Sequence, residues 1–160
     1  MTDAPDKVRA LVDTVRILRE LGARHALIGG VAVGVHSGVA RATVDTDVAV
    51  RSDVDRAATK QAMIAAGFRL TGEFPHSTNF RHRSGEPVQL VFDVEFDPMI
   101  DRAESFDAAG TPVPIVSKVD LIAMKLRSGS DPSRRRSKAL RDQADVELLL
   151  GDEPDPDEGW

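Results

Sequence analysis

The sequence predicts an α+β fold, in which helices and about five short strands alternate along the chain and further helices follow at its C-terminal end. Residues 5–21 carry apolar side chains at helical spacing, with charged residues on the opposite face. Residues 26–28 form a short apolar run before two glycines, which favours a buried strand. Residues 79–83 and 88–96 are strand-like runs separated by the turn-forming residues 84–87, and this pattern predicts an antiparallel hairpin.

Turn and capping residues set the expected bounds in the first half of the chain. Pro5 suits the first turn of the opening helix, and Gly22 suits its C-terminal cap. Ser52 is the expected N-cap of a later helix, with Asp55 at the capping-box position and Gly67 as the stop. The predicted elements are, in order, a helix over 5–21, a strand over 26–28, a helix over 31–37, a strand over 43–50, a helix over 53–66 and a strand over 68–71.

Prolines and a capping pattern organise the second half. Pro112 and Pro114 exclude a helix, so the segment around them is predicted to be extended. Ser117 is the expected cap of the helix that follows. After the hairpin, the predicted elements are a short helix over 99–104, an extended segment over 111–116, a helix over 117–126, a loop over 128–132 and a last helix that starts near residue 131. Residues 151–160 are acidic and rich in proline, which predicts a disordered tail after one domain over residues 1–150.

The composition is typical of a soluble globular protein, with 41% hydrophobic and 29% charged residues. The absence of cysteine excludes disulfides and thiolate metal sites. We expect a cytoplasmic protein without a membrane partner, since no apolar run has the length of a membrane span and the N-terminus lacks a signal-peptide pattern. A net charge of -5 argues against a general nucleic-acid coat protein, and 4% aromatic residues argue against a base-stacking platform.

The segment from Leu27 to Val50 carries the residues that point to chemistry. Its first strand ends at Gly29 and Gly30, where the backbone can approach a ligand closely. The helix expected after these glycines would direct its free N–H groups toward whatever lies over them. Such a helix start suits a phosphate or another anion.

Two carboxylates follow in the same segment. Asp45 and Asp47 lie two residues apart in a predicted strand, so their side chains share one face. They repel each other unless a cation lies between them, and oxygen ligands with phosphates suit Mg²⁺, with Mn²⁺ as the alternative ion. Each short motif alone is usually a turn or a solvated strand end. The combination, which also contains Arg41 and Thr43, favours a functional site.

A third acid is expected from the predicted strand over 88–96. With a period of two, Gln89, Val91, Asp93 and Glu95 share one face of this strand. Asp93 is the first choice for a third metal ligand, and Glu95 is the second. The alternative is that both are strand-end charges in water.

Basic residues are concentrated near the C-terminal end, as either a solvated helix face or an electrostatic guide for a polyanion such as a nucleoside triphosphate or RNA. Lys125 has apolar neighbours, which predicts a partly buried side chain that reaches a phosphate. Asp142 and Asp145 share a helix face. They either form ion pairs with the nearby arginines or hold Lys125 in place.

The paired glycines, the small helix and the pattern R-x-T-x-D-x-D together resemble the nucleotidyltransferase superfamily, typified by DNA polymerase beta and the CCA-adding enzymes. The segment SKVDLIAMKLRSG, with Asp142 and Asp145 after it, looks like the abortive-infection type II toxin nucleotidyltransferases. The resemblance covers most of residues 27–150. It implies a nucleotidyltransferase fold, with a mixed sheet flanked by helices. It also implies transfer of a nucleoside monophosphate from an NTP to a hydroxyl, with loss of pyrophosphate.

The resemblance also implies roles for individual positions. The implied nucleotide-binding residues are Gly29, Gly30, Arg41, Thr43 and Lys125. The implied catalytic residues are Asp45, Asp47, Lys125 and Asp142, of which Asp45 and Asp47 would bind the metal. The strand periodicity adds Asp93 to them, as a catalytic residue and the third metal ligand. Many relatives carry a third acid where this chain has Gln89. Either Asp93 or Glu95 then substitutes for it, or the site is weakened.

The sequence is compatible with several acceptors and partners. The basic C-terminal helix and the resemblance favour RNA as the acceptor, such as a tRNA 3′ end. A small molecule of the aminoglycoside type is the next acceptor class. The alternative to an enzyme is a catalytically weak nucleotide-binding protein in a toxin–antitoxin pair. An antitoxin or a second copy of the chain would then be its partner.

Overall fold

The computed structural model describes residues 6–39 and 45–151. Arg41, Thr43 and most of the predicted tail therefore lie outside the described residues. None of the helices in these two ranges is long and apolar enough to cross a membrane.

A mixed sheet of seven strands forms the centre of the described structure, with the order β3-β4-β5-β2-β1-β7-β6. Its strands are β1 (His25–Ile28), β2 (Thr46–Val50), β3 (Arg69–Phe74), β4 (Ser77–Arg81), β5 (Pro87–Val91), β6 (Glu104–Ala108) and β7 (Thr111–Ile115). The pairs β1–β7 and β2–β5 are parallel, and the other neighbours are antiparallel. The α+β class with a mixed sheet is confirmed, whereas the predicted number of about five strands is too low.

The additional strands lie at one end of the sheet. β7 contains the two prolines that predicted only an extended segment, and its partner β6 is an edge strand with mostly exposed side chains. Pro112 and Pro114 pair with Asp107 and Ser105 of β6. An exposed edge strand needs no regular apolar alternation, so β6 has no clear pattern in the sequence.

The helices pack on the two faces of this sheet. They are α1 (Lys7–Glu20), α2 (Gly29–Ser37), α3 (Arg56–Ala65), α4 (Asp97–Asp101), α5 (Lys118–Ser130) and α6 (Arg136–Leu149), and a short 3-10 turn covers Val94–Phe96. Ser117 caps α5 as predicted, because its side chain accepts a hydrogen bond from the Asp120 N–H. The buried core includes Val15 and Leu18 of α1 and Leu27 and Val48 of the central strands.

Several predicted bounds are wrong for local reasons. Asp55, not Ser52, caps α3, since its side chain accepts from the Ala58 N–H at 3.0 Å. The Ser52 hydroxyl instead donates to Asp97 at 2.5 Å. The loop predicted over 128–132 begins later, because α5 continues to Ser130. A Cβ at Gly129 would lie 3.3 Å from the Ala139 carbonyl oxygen, so glycine permits close packing of α5 on α6.

Polar contacts hold the first helix against the turn between β4 and β5. Lys7 Nζ lies 2.5 Å from the buried carboxylate of Glu86. His82 Nε2 lies 2.7 Å from Asp13 Oδ2, and its Nδ1 contacts Ser84 Oγ at 2.8 Å. Because Glu86, His82 and Ser84 are buried and their polar atoms are bonded to these partners, the contacts fix the hairpin relative to α1.

Candidate active site

Gly29 and Asp47 approach each other closely where β1 leads into α2. Ile28 of β1 pairs with Asp47 of β2 in the sheet, and Gly29 follows directly. Gly29 has a φ of 73°, and a Cβ at this position would lie 2.5 Å from Asp47 Oδ2. Only glycine satisfies both the positive φ and the close contact. The Asp47 carboxylate therefore lies directly against the start of α2.

The start of α2 is also suited to bind an anion. The helix begins at Gly29 itself, two residues before its predicted start, and no side chain caps its first turn. The free N–H groups of an uncapped first turn form an anion-binding end. His36, in the last turn, contacts the Val116 carbonyl oxygen through Nε2 at 2.7 Å. This contact ties the far end of α2 to the chain that leaves β7.

The Asp47 carboxylate is in an environment that disfavours its negative charge. Its Oδ1 atom is buried and has no hydrogen-bond partner among the described residues. Burial and then the negative charge of Asp45 raise the pKa of Asp47 to about 6, although Lys125 and Lys7 oppose this shift. A divalent cation would supply the missing partner and neutralise both carboxylates. Asp45 and Asp47 thus fit a metal such as Mg²⁺ by charge and donor type.

Amide side chains extend the row that begins with Asp47. The strand registers pair Asp47 with Gln89 and Gln89 with Asn79, so the three side chains lie side by side on one face. A cavity of about 190 Å³ lies beside them, lined by Asp45, Thr71, Asn79, Phe80, Arg81, Pro87, Val88 and Gln89. The Asn79 Oδ1 atom is buried and has no hydrogen-bond partner in the described structure. This row places a neutral amide where a third acid was expected.

The structure does not bring Asp93 into this row. The strand predicted over 88–96 ends at Val91, so the predicted face containing Asp93 and Glu95 does not exist. Asp93 instead caps the 3-10 turn by accepting from the Glu95 N–H, and Glu95 lies 3.9 Å from Arg127. Within the described ranges, no group of three or more His, Cys, Asp or Glu side chains is placed to hold a metal ion.

A buried cluster of opposite charges lies where α5 packs on α6. Lys125 Nζ lies 3.2 Å from Asp142 Oδ1 and 3.2 Å from Asp145 Oδ2. Arg134 Nε lies 2.6 Å from Asp142 Oδ2. Asp142 therefore pairs with an arginine, and both acids hold Lys125 in place. The positive charge of Lys125 also lowers the pKa of Asp47, against the raising effects of burial and Asp45.

Comparison with known sequences identifies the family. The model of the family described as "Nucleotidyl transferase AbiEii toxin, Type IV TA system" matches residues 9–159. This match covers nearly the whole chain. The chain belongs to the AbiEii nucleotidyltransferase toxin family. It is accordingly a nucleotidyltransferase, as the resemblance implied. A search of curated proteins finds no match.

Solved structures show that the AbiEii-family chain shares its fold with other nucleotidyltransferases. The lincosamide antibiotic adenylyltransferase LnuA has a TM-score of 0.64 and 15% identity, with 92% of this chain and 98% of that chain covered. A nucleotidyltransferase-like protein from Paracoccidioides brasiliensis has a TM-score of 0.65 and 22% identity, with 92% and 77% covered. ANT(2")-Ia, solved with adenylyl-2"-tobramycin, has a TM-score of 0.62 and 18% identity, with 91% and 90% covered.

Sequence reasoning missed three residues of this AbiEii-family site. Asn79 and Thr71 line the cavity beside Asp45, and the positive charge of Lys7 lowers the pKa of Asp47. The predicted hairpin, with its turn over 84–87, would place Asn79 opposite Phe92, whereas the structure pairs Asn79 with Gln89. Thr71 and Lys7 had no signal in the sequence, since their positions depend on a bulge and on helix packing.

Replacing Gly29 by alanine is expected to damage the site more than the fold. The new Cβ would clash with Asp47 Oδ2, and an alanine at positive φ costs about 1–2 kcal/mol. We expect transfer activity to fall by about two orders of magnitude, since a small misplacement of reacting groups has an effect of this size. Thermal unfolding and turnover of Gly29→Ala measure both effects. Gly38→Ala is the control, because it has a similar φ of 71° and open space around its Cβ position. Equal losses in the two variants would contradict the proposed contact.

Proposed function

We propose that this protein is a Mg²⁺-dependent enzyme that transfers a nucleoside monophosphate from an NTP to a hydroxyl acceptor, with Mn²⁺ as the alternative ion. The observation that carries the proposal is the Asp47 carboxylate, which lies against the uncapped start of α2 with one oxygen buried and unpartnered. This arrangement joins a cation-binding group to an anion-binding helix end. A metal–triphosphate complex needs both.

The residues divide the reaction between them. The first turn of α2, at Gly29 and Gly30, binds triphosphate oxygens through backbone N–H groups. Asp45 and Asp47 hold the metal, which supplies charge neutralisation at the phosphates when bound. Lys125, held by two acids, adds a positive charge that acts on Asp47. Arg41 and Thr43 belong to the same proposed nucleotide site, and Asp142 acts by positioning Lys125.

The proposed transfer is a direct displacement at phosphorus. The acceptor oxygen forms a bond to the α-phosphorus, and the bond between this phosphorus and the oxygen bridging to the β-phosphate breaks. Pyrophosphate leaves with the bonding electrons, and the acceptor proton passes to solvent. No covalent enzyme intermediate is required. The protein contributes alignment and charge.

The proposed acceptor is RNA, with a tRNA 3′ end as the favoured form. Exposed basic residues surround the start of α6: Arg135, Arg136, Lys138 and Arg141. This basic surface suits a polyanion, despite a net charge of -5 for the whole chain. A small molecule is the second candidate, because two structural neighbours are an antibiotic adenylyltransferase and a protein solved with an adenylylated aminoglycoside.

Family membership also supports proposals about partners and place of action. The family is described as the toxin of a type IV toxin–antitoxin system, so we propose an antitoxin or a second copy of the chain as a partner. The proposed location is the cytoplasm, where NTPs and tRNA are available. Gln89 supports a second candidate function, in which the protein binds nucleotide but transfers it only weakly.

Incubation with each α-labelled NTP, Mg²⁺ and total cellular RNA tests the proposal on a denaturing gel. We expect label in a tRNA-sized band, and we expect Asp45→Asn to remove it. Tobramycin in place of RNA tests the small-molecule candidate. If neither acceptor is labelled while calorimetry shows binding of NTP with Mg²⁺, the protein is a nucleotide-binding protein with weak turnover and not an efficient enzyme. If no NTP binds, the proposed nucleotide site is wrong.

A further inference from the structure

We propose that the cavity beside Asp45 binds the acceptor, and that Asn79 and Gln89 select an uncharged hydroxyl-bearing group over an ammonium-bearing one. This inference rests on the proposed function, because it assigns the second substrate of the same site. The cavity has a volume of about 190 Å³, which is enough for one sugar-sized group. It opens next to Asp45, on the face of the sheet that carries Asp47.

The position of the cavity follows from the strand registers. Asp47, Gln89 and Asn79 are direct neighbours across β2, β5 and β4, at spacings of about 5 Å per strand. A group held by Asn79 and Gln89 is therefore adjacent to the carboxylates, not remote from them. An oxygen of that group can reach a phosphate bound between Asp47 and α2. The row thus runs from the proposed metal site to the proposed acceptor site.

A β-bulge shapes the outer wall of this cavity. The pairing between β3 and β4 shifts between Leu70 and Gly72, so Thr71 has no partner in the register. Bulges redirect side chains and are frequent next to active sites. Thr71 lines the cavity, and its hydroxyl adds a group that can both donate and accept. In a regular strand pair, Thr71 would have a cross-strand partner, and its side chain would follow the alternation of the strand.

The polar groups of the cavity have unused bonding capacity. The Asn79 Oδ1 atom is buried without a hydrogen-bond partner in the described residues, and burial of an unsatisfied amide oxygen is costly. A hydroxyl donor from a ligand would satisfy it. The Gln89 amide can donate to the same hydroxyl group or to its neighbour. Both amides are neutral, so they orient a hydroxyl and offer no charge to an ammonium.

The charge at the cavity wall supports the same selectivity. Arg81 is exposed and lines the cavity, and its Nη1 atom donates to the Gly85 carbonyl at 2.8 Å. This guanidinium opposes a cationic acceptor and suits a neutral or anionic one. Among the described residues that line the cavity, Asp45 is the one acid, and the proposed metal would neutralise it. A pocket for a polycationic drug would need the opposite balance.

Kinetics with α-labelled NTP and unfractionated tRNA test the assignment. For Asn79→Ala and Gln89→Ala we expect the KM for tRNA to rise by about tenfold, with the KM for NTP within about twofold of wild type. Arg69→Gln is the control, since this exposed residue lies on β3 outside the cavity lining. Thermal unfolding of each variant separates a lost contact from a lost fold. A change in the KM for NTP alone, or no change in either KM, overturns the inference.

Conversion of the amides to acids tests selectivity directly. For the double variant Asn79→Asp and Gln89→Glu we expect a relative gain of at least about tenfold for tobramycin over tRNA as acceptor. Wild-type labelling of tobramycin in preference to tRNA overturns the inference while the proposed transfer stands. Absence of transfer to any acceptor overturns the proposed function, and this inference with it. The two failures are therefore distinguishable.

Discussion

Asp47→Asn is expected to abolish nucleotidyl transfer and at the same time to stabilise the metal-free protein. The carboxylate is the group that the proposed metal needs, and its amide is a poor Mg²⁺ ligand. Loss of a metal ligand in phosphoryl transfer should reduce turnover by about three orders of magnitude or more. The stability gain has a different cause. Asp47 is a buried charge beside a second carboxylate, and asparagine removes that repulsion without changing the size of the side chain.

The pH dependence of this stability gain has a defined sign. The pKa of Asp47 is raised to about 6 in the folded protein, from an ordinary value of 3.8. The folded state therefore binds the proton more tightly than the unfolded state. Ionisation costs nothing below pH 3.8, costs progressively more up to pH 6, and costs the full amount above it. A shift of this size corresponds to about 3 kcal/mol as an upper limit.

Denaturant unfolding of wild type and Asp47→Asn at pH 4 and pH 8, without divalent metal, measures the effect. We expect similar free energies of unfolding at pH 4 and a more stable variant at pH 8. Added Mg²⁺ with NTP should stabilise wild type and leave the variant unchanged. Asp53→Asn is the control, because its side chain is 70% exposed. Near-normal turnover of Asp47→Asn would show that the metal site has been assigned to the wrong residue.

Lys125→Met is expected to destabilise the fold by about 3–5 kcal/mol, which is the usual cost of breaking a buried ion pair by removing one of its members. The side chains of Asp142 and Asp145 are each 2% exposed, and both lie 3.2 Å from the Lys125 ammonium. Arg134 still pairs with Asp142 in this variant. Transfer activity should fall as well, because the phosphate side of the site loses a positive charge.

A combined variant separates the structural and catalytic roles of Lys125. Lys125→Met with Asp142→Asn and Asp145→Asn removes the cluster's charges, apart from Arg134, and should recover most of the free energy of unfolding. It should not recover transfer, because the ammonium is still missing. Lys118→Met is the control, since this exposed residue lies in the first turn of the same helix. Full recovery of transfer in the combined variant would leave Lys125 with a structural role only.

The centre of the site could be predicted from the sequence because it depends on local chemistry. A glycine pair after an apolar run predicts a close backbone approach, and Gly29 lies against Asp47 as such a position requires. Two aspartates at a spacing of two predict a shared face; in the structure Asp45 directly precedes β2, and its charge raises the pKa of Asp47. Helical spacing left two alternatives for Asp142 and Asp145: ion pairs with nearby arginines, or contacts that hold Lys125. The structure shows both, because both acids contact Lys125 and Asp142 also pairs with Arg134.

The rest of the site depended on where strands end and which strands become neighbours. The period-two spacing would place Asp93 on the same strand face as Gln89. The strand ends before Asp93, however, and the Asp93 side chain caps the 3-10 turn that follows. Asn79 enters the site only because β4 lies beside β5, two strands away from Asp47. Edge strands such as β6 carry few apolar side chains, so their pattern is too weak to be recognised. Arg41 and Thr43 lie outside the described residues, and their roles stay predictions.

The position of β2 within the sheet has a consequence for the dynamics of the protein. β2 is hydrogen-bonded to β1 on one side and to β5 on the other, so the backbone that carries Asp47 is an inner strand. Inner strands exchange their amide protons through the least frequent and most extensive opening events. The carboxylate is thus held on the slowest-opening part of the molecule. The edge strand β3, which carries Thr71, can fluctuate on a shorter timescale, so the outer wall of the cavity can move without displacing the backbone of Asp47.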